Sequence, residues 1–367
     1  MESIRSVFYD PSLEECPWGR SVLDRFATFN PKPVRRTKLK EDLLLRSPDP
    51  IGEGKGILYL TPFRGPLVKR CPGTKGYTCC GYWVANVVVG CPMDCSYCVL
   101  QGYLDEPYIT LQLPWQKVFD EVRSLIRSPS ILRVGTGELS DSLALEPLLG
   151  FVVEAVPFFA TIDGAILELK TKAAWVEGLL DLEHRGRTVL AWSLNPDPVI
   201  SSEEHRTAPL RERLRAARRC QEVGYPLAFH FDPMIHYPGW EEDYRGLVEE
   251  LFRWVDPQGI IWISLGTLRF PLGLEKIIRR RFPRSPILSG ELLPSEDGKQ
   301  RYLKPLRIEM YRKMRSWLRE FGPDLFIYLC MEREDVWKEV FGWSPGGTRG
   351  LRALFDQHVR DFLEGRR

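Results

Sequence analysis

Apolar and β-branched residues gather in six short runs along the chain, at 82–89, 131–135, 164–169, 188–193, 227–231 and 260–264. Their near-continuous apolar content suits strands covered on both faces, the condition of a parallel sheet. Between them, over 115–126, 143–156, 173–182, 210–223, 240–255 and 274–281, apolar side chains recur every three or four positions, the period of amphipathic helices. Pro209 near one helix start and Gly224 after its end stand where their backbone preferences want them. Right-handed crossovers between successive strands then curl the sheet into an α/β partial (β/α)6 barrel of TIM-like type. No internal repeat is visible beyond this alternation.

Residues 1–80 carry Pro-Lys-Pro and glycine-rich stretches and read as an irregular N-terminal extension to the barrel at 81–284. Helical patterns at 306–321, 335–341 and 351–363 make 285–367 a C-terminal helical cap, docked on the barrel rather than separate from it. The 44% hydrophobic content of the 367 residues is enough for a sizeable core. Charge is nearly balanced, 51 Lys+Arg against 49 Asp+Glu, so any binding of nucleic acid must come from a local patch. No run is long and apolar enough to span a bilayer, and the opening Met-Glu-Ser-Ile-Arg-Ser lacks a signal-peptide core, which predicts a cytoplasmic protein without membrane contact. No long heptad seam calls for a dimer, so a monomer is expected.

Nine cysteines, an odd number, point by their clustering to metal and redox use rather than disulfides. Cys91, Cys95 and Cys98 stand as C-x3-C-x2-C directly after the first strand run. Three thiolates on one loop can hold three corners of a [4Fe–4S] cube and leave one iron open. Soft thiolates also suit zinc, but zinc ligands usually come in two separated pairs, whereas these three crowd one loop at unequal spacing. Tyr97, an aromatic before the third cysteine, strengthens the cluster reading. The motif resembles that of the radical S-adenosylmethionine (SAM) superfamily. That resemblance implies that the open iron binds the amino and carboxylate groups of SAM, whose reductive cleavage yields a 5′-deoxyadenosyl radical.

Active residues of such barrels sit at the C-terminal strand ends, and polar groups gather there. Strand two leads into Gly135-Thr-Gly137-Glu138-Leu-Ser-Asp-Ser142, where the superfamily resemblance implies a glycine-rich edge that meets the SAM amino group, with an acid able to accept from an ammonium. Lys172 and Ser193 end the next two strands, where a cation and a hydroxyl suit the SAM carboxylate and ribose, although a lysine there also suits a solvated helix start. His230, at the end of strand five, lines the site, and a lone strand-end histidine is more often a hydrogen-bonded structural group. Cys71, Cys79 and Cys80 form a second thiol group; vicinal side chains on extended chain point apart, which favours packing or redox chemistry over a second cluster. Basic runs are usually solvated faces, but Arg301, Tyr302 and Lys304 combine cations for phosphate with an aromatic able to stack, a candidate nucleic-acid contact.

Taken in order, the cysteine loop, Gly-Glu-Leu-Ser-Asp-Ser, Leu-Lys-Thr-Lys, Trp-Ser-Leu-Asn-Pro and the stretch 223–234 resemble the spore photoproduct lyase family over about residues 71–311. The resemblance implies a DNA-repair lyase that takes hydrogen from C6 of a thymine–thymine photoproduct, lets the inter-base methylene bond fragment, and returns hydrogen from a cysteine thiol. It implies Cys91, Cys95 and Cys98 on the cluster, and Ser142, Lys172, Ser193 and Glu138 or its backbone near SAM. Damaged DNA and an electron donor such as flavodoxin or ferredoxin are the implied partners. Two positions depart from the family pattern. No thiol precedes Ser140-Asp141, and Val99 stands where a tyrosine follows the third cluster cysteine. Cys79, Cys80 or Tyr103 must then supply the hydrogen, or the substrate differs, being RNA, a peptide or a small molecule. A non-catalytic iron–sulfur protein that binds nucleic acid is the remaining alternative.

Overall fold

The computed structural model describes residues 4–365; residues 1–3 and 366–367, at the outer ends of the expected extension and cap, lie outside the described residues. All six expected strands lie side by side in chain order: Trp83–Ala85, Leu132–Gly135, Ala165–Thr171, Thr188–Ser193, Leu227–Met234 and Ile260–Thr267. Each pairs in parallel with the next. Two further strands extend this curled sheet, Ile327–Leu329 in parallel beyond the sixth and Val68–Arg70 antiparallel before the first. The expected cap therefore contributes a strand as well as its three helices, Lys304–Phe321, Glu334–Phe341 and Gly347–Glu364. Only three residues long, that strand carries too little periodicity to stand out in the sequence.

The run 82–89 is not one strand. Its first part joins the barrel, while Val88–Val89 pairs with Ile109–Leu113 in a second sheet. The chain changes sheets at Asn86, whose N–H donates to Leu67 O (2.9 Å), and Val87, whose carbonyl accepts from Gln112 N (2.8 Å). That second sheet also corrects the expectation of an irregular extension, since it runs Lys32–Pro33, Ser6–Tyr9, Ile57–Pro62, Ile109–Leu113, Val88–Val89. Short strands paired to distant partners leave little local pattern.

Helices Lys117–Leu125, Leu210–Glu222, Trp240–Trp254 and Leu274–Arg281 fall where the periodicity places them. The stretch 143–156 instead divides at Gly150, which takes a left-handed φ of 73°, into Glu146–Leu149 and Phe151–Ala160. The expected helix at 173–182 reduces to one turn, Glu177–Leu179. Its backbone is held elsewhere: Trp192 Nε1 donates to Ala173 O (3.0 Å) and Thr171 Oγ1 accepts from Ala173 N (2.8 Å).

The half-barrel's open side is closed by the last helix. Phe355, fully buried, packs against Trp262, Phe326 and Tyr328 with centroids at 5.6, 4.8 and 4.9 Å, and the Arg133 guanidinium lies 3.8 Å above it. Among the described residues no helix is long and apolar enough to cross a membrane. Because this ring plugs the seam from the C-terminal helix, Phe355→Ala is expected to cost ~3–5 kcal/mol of stability, measured by urea unfolding.

Candidate functional site

The thiol loop leaves Val88–Val89, the edge strand of the second sheet, at Gly90, whose φ is 96° and where a Cβ would come within 3.1 Å of Ile109 Cα, so glycine is required. Four separate anchors then shape the loop. Lys55 from the extension, 7% exposed, donates from Nζ to Cys91 O (3.2 Å) and Met93 O (2.5 Å). Gln101 Nε2 donates to Cys95 O (3.1 Å) and Ser96 O (2.9 Å). Asp94–Cys95 pairs antiparallel with Glu204–His205. Arg281 bridges Asp94 and Asp49, joining the loop to the helix Leu274–Arg281 and to the extension.

Burial raises the Cys91 thiol to about 12, helped by the charges of Asp141 and Cys98 and opposed by Lys55; Cys95 is likewise pushed up by burial and by Glu204, with Cys98 and Cys91 adding to it. The three thiols thus lie within electrostatic reach of one another. Among the described residues no three such side chains converge as a site for one bare ion. Thiolates that each serve a different iron of a cube need not converge so. Three soft donors on one braced loop, with a buried cation beside them to offset added negative charge, fit the cube.

Glu204, which the sequence reading did not single out, is the hub behind the loop. It accepts from Tyr97 OH, from Asn195 Nδ2 (2.8 Å) and from Arg213 Nη2 (2.6 Å), and Lys172 Nζ stands 3.5 Å away. Its side chain and that of Arg213 are both fully buried. Burial by itself would raise this carboxyl, but the charges of Lys172 and Arg213 and the bonds from Tyr97 and Asn195 outweigh it and hold it at about 2. Tyr97 is therefore a brace between loop and barrel, with Lys172 Nζ 5.9 Å from its ring centroid. Its hydroxyl is committed.

The SAM-side residues assemble around a second unforeseen carboxylate. Asp141 Oδ1 accepts from Leu143 N (3.0 Å), Ala144 N (2.9 Å) and Thr171 Oγ1 (2.7 Å), while Oδ2 accepts from Lys172 N (2.7 Å). It locks the turn after strand two against the end of strand three. Thr136 Oγ1 donates to Ser142 Oγ (2.7 Å), and a Cβ at Gly137 would meet Lys170 Cβ and O at 2.8 Å. Lys172 and Ser193 are 12% exposed at the side chain and 7% exposed overall. The buried hydroxyl of Ser140 has no protein partner. An orphaned hydroxyl beside a glycine edge, a cation and a serine fits a polar ligand such as SAM.

Inside the barrel, charged side chains two apart along the third and fifth strands pair across the intervening strand or with residues outside those strands. His230 Nε2 lies 2.7 Å from Glu168 Oε1, so it is a partnered lumen residue rather than a free ligand group. Burial pushes Glu168 up, but the His230 bond and the charges of His230, Lys170 and Arg133 win and hold it below the usual carboxylate range. Glu138 accepts from Tyr82 OH and lies 3.6 Å from Lys170 Nζ. Arg269 holds Asp232 by two bonds of 2.9 Å and donates to Cys330 Sγ (3.3 Å). Glu168 and Lys170, like His230 and Asp232, alternate within apolar strands, and that period-two signal was available in the sequence.

Cys330, just past the unforeseen strand, meets the second thiol group at the barrel seam. Thr78 bridges Glu332 antiparallel, which brings Cys79 and Cys80 alongside Cys330. Burial raises the Cys71 thiol to about 12 and raises those of Cys79, Cys80 and Cys330 above the ordinary range, so all four keep their protons at neutral pH. None of the nine cysteines is in a disulfide. Tyr103 is 65% exposed. Arg301 and Tyr302, candidates for nucleic-acid contact, are 2% and 1% exposed, Arg301 pairing with Asp297 (2.7 Å) and Tyr302 OH accepting from His236 N (3.1 Å). A strand that buries both side chains inside a three-stranded hairpin sheet leaves them no free face. Lys304 is exposed and pairs with Asp335 (2.7 Å).

The Glu204 hub carries a pH dependence. Its carboxyl titrates at about 2 when folded and at 4.5 ordinarily, so the unfolded chain binds more protons between those values. Stability from this group is therefore complete above 4.5, declines as pH falls, and is lost through about 2. Glu204→Gln is expected to lack that slope, the wild-type advantage in urea unfolding shrinking by ~3 kcal/mol between about pH 5 and about pH 2.

Comparison with known proteins agrees with this geometry. A family model described as spore photoproduct lyase matches residues 79–304. The spore photoproduct lyase of Bacillus subtilis (strain 168) is 32% identical over 308 residues, covering 81% of this chain and 85% of the relative. That of Geobacillus sp. (strain Y412MC61) is 29% identical over 248 residues, covering 65% of this chain and 73% of the relative. A solved spore photoproduct lyase complexed with dinucleoside spore photoproduct superposes with a TM-score of 0.78 at 24% identity, over 89% of this chain and 98% of the other. A mutant lyase with bound AdoMet and dinucleoside spore photoproduct gives a TM-score of 0.77 at the same identity and coverage. On its matched sequence the chain belongs to the spore photoproduct lyase family, a radical SAM family built on this half-barrel.

Proposed function

We propose that this protein is a radical SAM lyase that repairs a thymine-dimer-type photolesion in DNA. The observation that carries the reading is the loop of Cys91, Cys95 and Cys98 at the mouth of a barrel whose lumen is lined by fixed charge pairs. The three thiols would hold the cube, with Lys55 and Gln101 fixing the loop's carbonyls. Gly137, Ser140, Ser142, Lys172 and Ser193 would bind SAM. When bound, the reduced cube and SAM supply a carbon radical able to take hydrogen from an unactivated C–H bond.

The charge pairs are preorganised, so the lumen can orient a polar nucleobase lesion without rearranging. They also narrow access by water. The hydrogen that quenches the repaired base would come from the seam thiols, Cys79, Cys80 or Cys330, since Glu138 occupies the turn where the family resemblance places a thiol. Burial keeps these groups as S–H, the form that donates a hydrogen atom. DNA contact would fall to the exposed side of the hairpin and to Lys304, with Arg301 and Tyr302 stiffening it from within. We divide the labour among extension 1–80, barrel 81–284 and cap 285–367, and place a monomer in the cytoplasm with its DNA and an electron donor.

The Glu138–Tyr82–Lys170 group favours one second reading, a related radical SAM reaction on another substrate, because it replaces a neutral thiol by a paired carboxylate. Anaerobically reconstituted protein, given SAM, dithionite and oligonucleotides carrying either spore photoproduct or other dipyrimidine lesions, decides between them. Restored thymine with 5′-deoxyadenosine formation is the expected result; 5′-deoxyadenosine without repair of any lesion would assign another substrate. Alanine at Cys91, Cys95 or Cys98 is expected to abolish 5′-deoxyadenosine formation. Cys80→Ala combined with Cys330→Ala is expected to leave it intact while lowering restored thymine at least tenfold, read by chromatography and mass spectrometry.

A further inference from the structure

Cys330 stands in a different setting from the other seam thiols. It follows the strand Ile327–Leu329 directly, and Arg269 donates to its Sγ from Nη2 (3.3 Å). Arg269 also grips Asp232, and a Cβ at Gly266 would come within 2.6 Å of Asp232 Cγ and 2.7 Å of Arg269 Nη1, so glycine leaves the room that this pair fills. Burial pushes the Asp232 carboxyl up, but the charge and bonds of Arg269, the charge of Lys170 and a hydrogen bond from Cys330 hold it below its ordinary value. The Cys330 thiol therefore has a carboxylate beside it that can take its proton. Its thiol neighbour is Cys80. The bridge of Thr78 with Glu332, closed by Thr78 N donating to Glu332 O (2.9 Å), carries the vicinal thiols to the end of that strand. Cys79 is turned towards the preceding turn, where a Cβ on Gly73 would lie 3.0 Å from its Sγ, and vicinal side chains point apart. The charge of Cys80 accordingly weighs more on Cys330 than that of Cys79 does, and Cys80 and Cys330 both act on Tyr328. A thiol that gives up a hydrogen atom is left as a sulfur radical. The tyrosine hydroxyls of the site are committed, Tyr82 to Glu138 and Tyr97 to Glu204, and Val99 has none.

We propose that Cys80 and Cys330 work as a dithiol, Cys80 giving the hydrogen that quenches the repaired base and Cys330 trapping the resulting sulfur radical as a disulfide, with Asp232 as proton acceptor, an inference that rests on the proposed repair reading. The carbon radical of the product takes hydrogen from Cys80: one C–H bond forms and one S–H bond breaks. The Cys80 sulfur radical then bonds to Cys330 Sγ while the Cys330 proton passes to Asp232, which matches the need for a thiolate in bond formation between sulfurs. The sulfur pair now carries one surplus electron. That electron goes to the oxidised one-electron carrier that serves the reaction, leaving a neutral disulfide. A dithiol reductant reopens it by exchange, supplying two electrons and two protons and itself becoming a disulfide, and Asp232 releases its proton to water. Each repair event thus consumes one external dithiol as well as SAM.

The test has one part without turnover and one with it. Anaerobic holoprotein is first treated with diamide, a small thiol oxidant, and its disulfides are mapped by proteolysis and mass spectrometry. The expected bridge is Cys80–Cys330, formed at least tenfold faster than any bridge of Cys71 or Cys79, and at least fivefold more slowly in Asp232→Asn. In the second part the holoprotein receives SAM, spore-photoproduct oligonucleotide and reduced flavodoxin, with no thiol in solution. About one lesion repaired per chain is expected, with one Cys80–Cys330 bridge for each, and renewed repair on adding dithiothreitol. Cys330→Ser, which keeps the size of the side chain, is expected to lose both the bridge and the response to dithiothreitol. Preferred bridging of any other pair by diamide, or repeated repair without thiol while Cys80 and Cys330 stay reduced, would overturn the proposal. The bridge is mapped without turnover, so its formation in a protein that repairs no lesion would count against the proposed function and leave the pairing of the two thiols standing.

Discussion

The site depends on one buried carboxylate. Glu204 sits in a fully buried position and is worth its desolvation only because Arg213, Lys172, Asn195 and Tyr97 all converge on it. Each partner belongs to a different part of the machinery: Tyr97 to the thiol loop, Asn195 to the end of the fourth barrel strand, Arg213 to the following helix, and Lys172 to the proposed SAM side. Remove the carboxylate and two buried cations lose their counter-charge at once. The ladder Asp94–Cys95 with Glu204–His205 makes the same connection through the backbone. A loop that must hold a large inorganic group needs such bracing, because its own residues form almost no regular structure.

Asp141 repeats the device on the other side of the mouth, tying the turn after the second strand to the start of the Lys172 backbone. Between these two carboxylates the lumen is polar yet internally neutralised in pairs. Such pairs gain little stability relative to apolar packing, so their value lies in fixed orientation. The thiols at the seam are the neutral exception. They lie where the cap strand Ile327–Leu329 and the segment before the first strand meet, and the last helix closes over them.

Much of this was legible beforehand. Period and strand spacing placed six parallel strands in order, and the cysteine spacing named the chemistry, since both are local signals. Sequence shows that Arg301 and Tyr302 are adjacent, and so on opposite faces of a strand, but not that both faces are covered, as they are here, towards Asp297 and His236. Glu204, Asp141 and Cys330 were missed because nothing local distinguishes a hub carboxylate from a solvated one, or a lumen thiol from a packed one.

The linear order of residues by itself determined the half-barrel, the iron–sulfur loop and the absence of a thiol before Ser140-Asp141, all properties of spacing and residue type along a few neighbouring positions. Only the tertiary structure decided that the extension builds a sheet and lends Lys55 to the loop, that 82–89 serves two sheets, and that Cys80 and Cys330 meet across a seam 250 residues apart in the chain. The physical reason is that burial and pairing are made between distant segments: the free energy of a charge or thiol is set by what surrounds it in space, and no window along the chain contains that information.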